Sequence, residues 1–184
     1  MKQESTVKYI LRLTFTLLII CAVVAGILAA VNSVTAPIIA AAKEAKTQEA
    51  ISAVLPGGGE KIDFTGADAS GMVLEVYASE SGYAVKVAPS GFGGAITMMV
   101  GVDNEGKVLG ISIISHAETP GLGAVAAAGT DKGAAFRDQF IGLISGITIG
   151  SGENQIDSLS GATISSQAIA DGVNAALACV GKLG

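Results

Sequence analysis

From Leu13 to Ala42 the chain carries no charged residue; Arg12 closes the run on one side and Lys43 on the other. Few environments accept such a stretch. Its strongest part, Leu13 to Val31, reads LTFTLLIICAVVAGILAAV, 19 residues. At about 1.5 Å per residue a helix of that length spans roughly 28 Å, the hydrocarbon thickness of a bilayer. A cleaved signal peptide is the rival reading, because AVNSVTA offers the small residues that a signal peptidase accepts. The apolar run outlasts an ordinary signal core, however, and continues through Ala36-Pro37-Ile38-Ile39. A retained transmembrane anchor is therefore expected over 13–35. Lys2, Lys8 and Arg12 precede it, whereas Lys43 and Lys46 follow it mixed with Glu44 and Glu49. That asymmetry predicts a cytoplasmic tail over 1–12 and a C-terminal domain on the outer, periplasmic side of the cell (inner) membrane.

Beyond the anchor, AAKEAKTQEAISAVL is rich in helix formers and sets Ile51, Val54 and Leu55 on one stripe, until Pro56-Gly57-Gly58-Gly59 stops it. Residues 36–59 read as a stalk helix and linker, and 60–184 as one domain. From Met72 the texture changes. MVLEVYASE, GYAVKVA, GAITMMVGV and KVLGISII are short, β-branched and punctuated by turn residues. Asp103-Asn104-Glu105-Gly106 suits a hairpin turn between the last two. Ala134 to Leu143 predicts a helix with Phe136 and Phe140 on one face. Ile164 to Val180 predicts a second, with Ile164, Ala168, Val173, Ala176, Leu177 and Val180 facing a core. An antiparallel sheet packed with helices, an α+β fold, is the simplest assembly.

Several functions are excluded early. A formal charge of −5 without any basic cluster argues against a nucleic-acid partner. Two cysteines, Cys21 and Cys179, and the single His116 cannot supply an iron–sulfur cluster or a zinc site. Redox chemistry would have to come from an organic cofactor. Gly91-Phe92-Gly93-Gly94 lacks the GK[ST] ending of a nucleotide-phosphate loop and leads into a strand. SLSGA departs from G-x-S-x-G at Ser158, and no general base accompanies it.

Two segments remain. His116-Ala117-Glu118-Thr119-Pro120-Gly121-Leu122-Gly123 follows directly on a strand; its proline and glycines suit a tight turn, and strand-end loops of this kind often touch ligands. Further on, IDSLSGATISSQAIA places Ser160-Gly161-Ala162-Thr163 at a predicted helix start. There the unpaired N–H groups and the helix dipole favour a phosphate. Thr163 or Ser165 acting only as a helix cap explains the same residues. Local physics leaves both open.

Asp157-x-x-Ser160-Gly161-Ala162-Thr163 resembles the flavinylation motif of the FMN-binding domains found in Rnf-type and Na⁺-translocating NADH:quinone reductase complexes. The resemblance extends to Glu118-Thr119-Pro120-Gly121-Leu122-Gly123, which is similar to the family's ETPGLG loop, to Gly91-Phe92-Gly93-Gly94, to AFRDQFIG and to the N-terminal anchor. It thus covers nearly the whole chain, and it favours the RnfG type, from the Rnf ion-translocating ferredoxin:NAD⁺ oxidoreductase, over its counterpart in the quinone reductase. Ser165 stands where many members have Thr. The resemblance implies FMN bound covalently through a phosphoester to Thr163, with Ser160, Gly161 and Ala162 around the attachment. It implies that the loop of Glu118, Thr119, Pro120, Gly121, Leu122 and Gly123 lies against the isoalloxazine ring, its amides stabilising negative charge and Leu122 covering one face. Asp157 would belong to the sequence read by a flavin transferase during maturation. The chain would then carry electrons within a translocase, beside other membrane subunits, without being a stand-alone catalyst. Two alternatives stay open: a covalent flavoprotein of another respiratory or extracellular electron-transfer system, and a non-redox assembly subunit whose SGAT only caps a helix.

Overall fold

The computed structural model describes residues 2–66 and 68–183, and it divides into two compact units, Met1–Ala45 and Lys46–Gly184. One helix, α1 (Lys2–Val54), supplies the first unit and enters the second. It passes through Pro37 without a break, so no boundary separates the segments read above as anchor and stalk. Its apolar side chains, from Val7 to Ile39, are all exposed. The few hydroxyls among them are satisfied internally: Thr14 Oγ1 donates to the Ile10 carbonyl at 3.0 Å, and Thr16 and Thr35 donate likewise four residues back. A lipid-facing helix needs just this, since hydrocarbon offers no partner for a free donor. The stretch Val7–Val54 is long and apolar enough to cross a bilayer, with a mean hydropathy of 2.7 over its most apolar window.

In the second unit five strands form an antiparallel meander: β1 (Glu60–Ile62), β2 (Val73–Ser79), β3 (Gly82–Val87), β4 (Thr97–Asp103) and β5 (Val108–Ser115), paired in chain order. The Asp103–Gly106 hairpin forms as its sequence suggests. The Asp103 carboxylate accepts the N–H groups of Glu105 and Lys107, and Gly106 adopts φ +81°. Alternation sorts the side chains onto two faces. On one, Tyr77, Ala84 and Met99 pack with Ala50, Ile51, Val54 and Leu55 from the end of α1. On the other, Val76, Val85, Met98 and Val100 meet α3 (Thr163–Val180), whose Ile169, Val173 and Ala176 are fully buried. β4 is covered on both faces, and so TMMVGV reads as unbroken apolar sequence.

The remaining pieces depart from expectation. The helix predicted over 134–143 is α2 (Asp131–Asp138), begun earlier because the Thr130 hydroxyl accepts the Gly133 N–H at 3.3 Å. It ends earlier because residues 142 and 143 bond Val108 at the edge of β5. Phe140, beyond the helix, is still fully buried and meets Phe136 edge to face at 5.5 Å. A 3-10 turn (Gly123–Ala127) precedes α2. Two three-residue strands, β6 (Ile147–Ile149) and β7 (Asn154–Ile156), pair in parallel, and Asn174 of α3 clamps Ile147 through both its amide and its carbonyl.

Candidate functional site

The start of α3 answers the capping question. Its N-cap residue is Ala162, which offers no side-chain acceptor, and neither Thr163 nor Ser165 caps the helix. Ser166 Oγ instead accepts the Leu159 N–H at 3.0 Å and donates to the Ala162 carbonyl at 3.0 Å, which fixes the entering chain. Ser165 Oγ donates to Glu118 Oε2 at 2.5 Å. Thr163 is exposed, and among the described residues its hydroxyl takes part in no hydrogen bond. The N–H groups of the first turn lie beyond the reach of the helix's own carbonyls, and no acidic residue of that turn offsets the positive end of the dipole. Ile164, expected in the core, is 58% exposed and lines the cleft instead.

The loop after β5 is both a turn and a wall. The Leu122 N–H bonds the Thr119 carbonyl at 3.1 Å, and Gly121 takes φ +78° behind Pro120, the arrangement of a type II turn. Of the loop's amides, that of Leu122 is used within the turn. Glu118, 6% exposed, reaches inward from this loop. Its Oε1 accepts the Gly93 N–H at 2.9 Å, while its Oε2 accepts Ser165. Gly123 must be glycine for this approach: a Cβ there would sit 2.5 Å from Glu118 Oε2 and 2.6 Å from Ser165 Oγ. His116 is exposed, and its Nδ1 accepts the Glu118 N–H at 3.2 Å.

These segments enclose a cleft of about 370 Å³ lined by Phe92, Glu118, Thr119, Leu122, Gly123, Gly161, Ala162, Thr163, Ile164 and Ser165. Six of the residues singled out from sequence thus converge on one hollow with Glu118: Thr119, Leu122, Gly123, Gly161, Ala162 and Thr163. Pro120, Gly121 and Ser160 belong to the loops that carry them but do not line it. Asp157 also lies outside it, exposed, with its backbone held by Gln139: Gln139 Oε1 accepts the Asp157 N–H at 2.7 Å, and its Nε2 donates to the Asp157 carbonyl at 3.4 Å. Sequence reasoning missed three of the lining residues as cleft groups. Phe92, at the tip of a turn closed by a Gly91–Gly94 hydrogen bond, is 70% exposed. An aromatic among glycines, in a segment that carries part of the family resemblance, was its signal. Ile164 was assigned to the core stripe, and Ser165 to a cap. The rim is apolar through Phe92, Leu122 and Ile164, the wall carries one carboxylate, and the far end presents a hydroxyl at a helix N-terminus. Such a cleft suits a flat ligand with an anionic end.

Residues 91–178 match the FMN-binding domain family, and residues 1–54 match the RnfG N-terminal region. The chain is 33% identical over 182 residues to the G component of the proton-translocating ferredoxin:NAD(+) oxidoreductase complex of Clostridium ljungdahlii, covering 96% of this chain and 95% of the relative. It is 34% identical over 192 residues to the G component of the Na(+)-translocating ferredoxin:NAD(+) oxidoreductase complex of Acetobacterium woodii, covering 91% and 89%. The G component of an ion-translocating oxidoreductase complex of Methanosarcina acetivorans is 29% identical over 188 residues, covering 92% and 94%. With an FMN-binding domain behind an N-terminal region of the RnfG type, and with these relatives matched over nearly their whole length, the chain belongs to the RnfG family of ion-translocating oxidoreductase complexes.

Proposed function

We propose that this chain is the electron-carrying flavoprotein subunit of a membrane-bound ion-translocating ferredoxin:NAD⁺ oxidoreductase of the Rnf type, with FMN joined through its phosphate to Thr163 Oγ1. The observation that carries this reading is the position of Thr163: an exposed, unengaged hydroxyl on the first residue of an 18-residue helix, opening into the cleft. The residues present fit the cofactor. The N–H groups of the first turn of α3 suit a phosphate diester. Phe92, Leu122 and Ile164 supply apolar surface of the kind that covers an aromatic ring and excludes water. When bound, FMN supplies electron-transfer chemistry that no side chain of this protein offers. The chain's own share is to hold: Thr163 tethers, the turn at 119–122 sets Leu122 over the cleft, and Glu118 ties two walls together. Asp157, exposed on a backbone clamped by Gln139, is the part of the motif a flavin transferase would read.

The partners in this reading are the other membrane subunits of the complex. The relatives named for proton and for Na⁺ translocation are similar to this chain to nearly the same degree. Between Arg12 and Lys43 the only titratable side chain is Cys21. Intramembrane ion paths are built from ionisable groups, so ion movement falls to those partners, and this subunit relays electrons.

Intact mass decides the central point. Full-length chain coexpressed with a flavin transferase gains the mass of one FMN less one water, the adduct maps to Thr163, and Thr163→Ala stays at the unmodified mass. An adduct on Ser160 or Ser165, or none, would overturn the assignment.

A further inference from the structure

Glu118 is the one acidic side chain among the buried polar and charged residues, and it stands in the wall of the cleft. Both of its oxygens accept hydrogen bonds, Oε1 from the Gly93 N–H at 2.9 Å and Oε2 from Ser165 Oγ at 2.5 Å. Both contacts suit a carboxylate acting as acceptor. Gly93 belongs to the turn that carries Phe92, and Ser165 lies two residues past Thr163 on α3. One side chain thus joins the aromatic tip, the loop after β5 and the helix that bears the attachment hydroxyl. Among the described residues no cation lies within salt-bridge distance of it. Its oxygens are met by a backbone amide and a hydroxyl, beside the positive end of α3.

We propose that Glu118 is a positioning residue with an electrostatic consequence: it braces the Phe92 turn against the start of α3, and its negative charge lowers the midpoint potential of the flavin in the cleft. The proposal rests on the reading of the cleft as the FMN site. Reduction that outruns proton uptake adds negative charge to the cleft's occupant. A carboxylate fixed in the wall repels that charge, and the apolar surface of Phe92, Leu122 and Ile164 limits screening by water. Charges held near a flavin are a main means by which a protein tunes it. Thr163 and Glu118 then divide the work. Thr163 keeps the cofactor in place, and Glu118 makes it a stronger reductant.

Two substitutions separate bracing from charge. In Glu118→Gln the amide oxygen can still accept from Gly93, and the amide nitrogen can donate to Ser165 Oγ, because a hydroxyl accepts as well as donates. The brace survives while the charge is lost. Ser165→Ala does the reverse: the carboxylate keeps its charge and loses a donor that offset it. Each variant is made as full-length, flavinylated chain in detergent, and the readouts are intact mass, thermal transition and midpoint potential by mediated titration with dithionite. The expected result is full loading of both, a potential raised in Glu118→Gln and lowered in Ser165→Ala. Opposite signs are the mark of charge, since mere loosening of the wall would move both in one direction. An unchanged or lowered potential in Glu118→Gln, or shifts of the same sign, overturns the proposal. If Glu118→Gln does not fold, Ser165→Ala decides alone, and an unchanged or raised potential there overturns it. A parent chain without FMN mass would instead fail the reading of the cleft, and the proposal would fall with it.

Discussion

At the scale of single residues, the charges that count for stability lie on the sheet. Glu75 of β2 sits between Lys61 of β1 at 2.6 Å and Lys86 of β3 at 2.8 Å, and the Tyr77 hydroxyl donates to it at 3.2 Å. Lys86 also donates to Thr47 Oγ1 at 3.2 Å, so the network reaches the end of α1. Burial pushes the Glu75 carboxyl up, but hydrogen bonds and charge from Lys61 and Lys86 outweigh it and hold the group at about 2, against an ordinary 4.5. A carboxylate depressed on folding contributes stability above its unfolded value and loses it as pH falls through the folded one. The window therefore runs from about pH 4.5 down to about 2. Glu75→Gln is expected to lower stability at pH 7 by about 1–2 kcal/mol, more than an exposed pair and less than a fully buried one. Thermal unfolding of parent and variant across that range should show the gap closing as pH drops. A gap constant with pH would place the effect in packing instead of charge.

At the scale of elements, the four longer strands were legible because alternation and turn chemistry are local, whereas the three residues of β1 were not. Val73–Ser79 falls inside MVLEVYASE, Val108–Ser115 overlaps KVLGISII to within a residue, and TMMVGV is the strand covered on both faces. The pair β6 and β7 was not legible, since three residues carry no period and their pairing leans on Asn174 from α3. The candidate site divides the same way. Thr163 and the 118–123 loop could be found from motif chemistry, whereas the bonds of Glu118 to Gly93 and Ser165 join residues 25 and 47 positions away. Helical periodicity placed Ile164 inside because a period cannot tell a core-facing position from one that faces a cleft. Packing of the last turns of α1 depends on a similar long-range contact. A Cβ on Gly101 of β4 would strike the carbonyl of Val54, while one on its neighbour across the ladder, Gly110 of β5, would meet nothing. Gly101→Ala is expected to cost about 1–3 kcal/mol by overpacking. Gly110→Ala should stay within about 0.5 kcal/mol. Equal thermal transitions in the two variants would mean that Val54 does not seat closely on the sheet.

At the scale of the whole molecule, the two units make opposite demands on solvent. Residues 7 to 39 expose apolar side chains of the kind that lipid accommodates, and their hydroxyls are already paired within the helix. The second unit buries its apolar residues on both faces of a sheet and carries its acidic residues, apart from Glu118, outside the core. A covalently held cofactor would suit such a chain: an anchor would keep the domain at the membrane, and the tether proposed at Thr163 would keep the redox group in the domain. The side on which the domain is expected is argued from charge. Lys2, Lys8 and Arg12 stand before the span, and the cations after it, Lys43 and Lys46, are interleaved with Glu44 and Glu49. Basic residues near a span favour the cytoplasm, worth a bias and no more when the counts are close. The N-terminus is therefore expected inside and the residues after about 46 outside, with the chain retained as made. Protease added to right-side-out vesicles should digest the FMN-binding domain while leaving a membrane-bound fragment that contains 7–39. Protection of the domain until the vesicles are lysed would reverse the orientation. A shortened chain found free of the membrane would show cleavage near AVNSVTA, and the long uncharged run would then be a leader and no anchor.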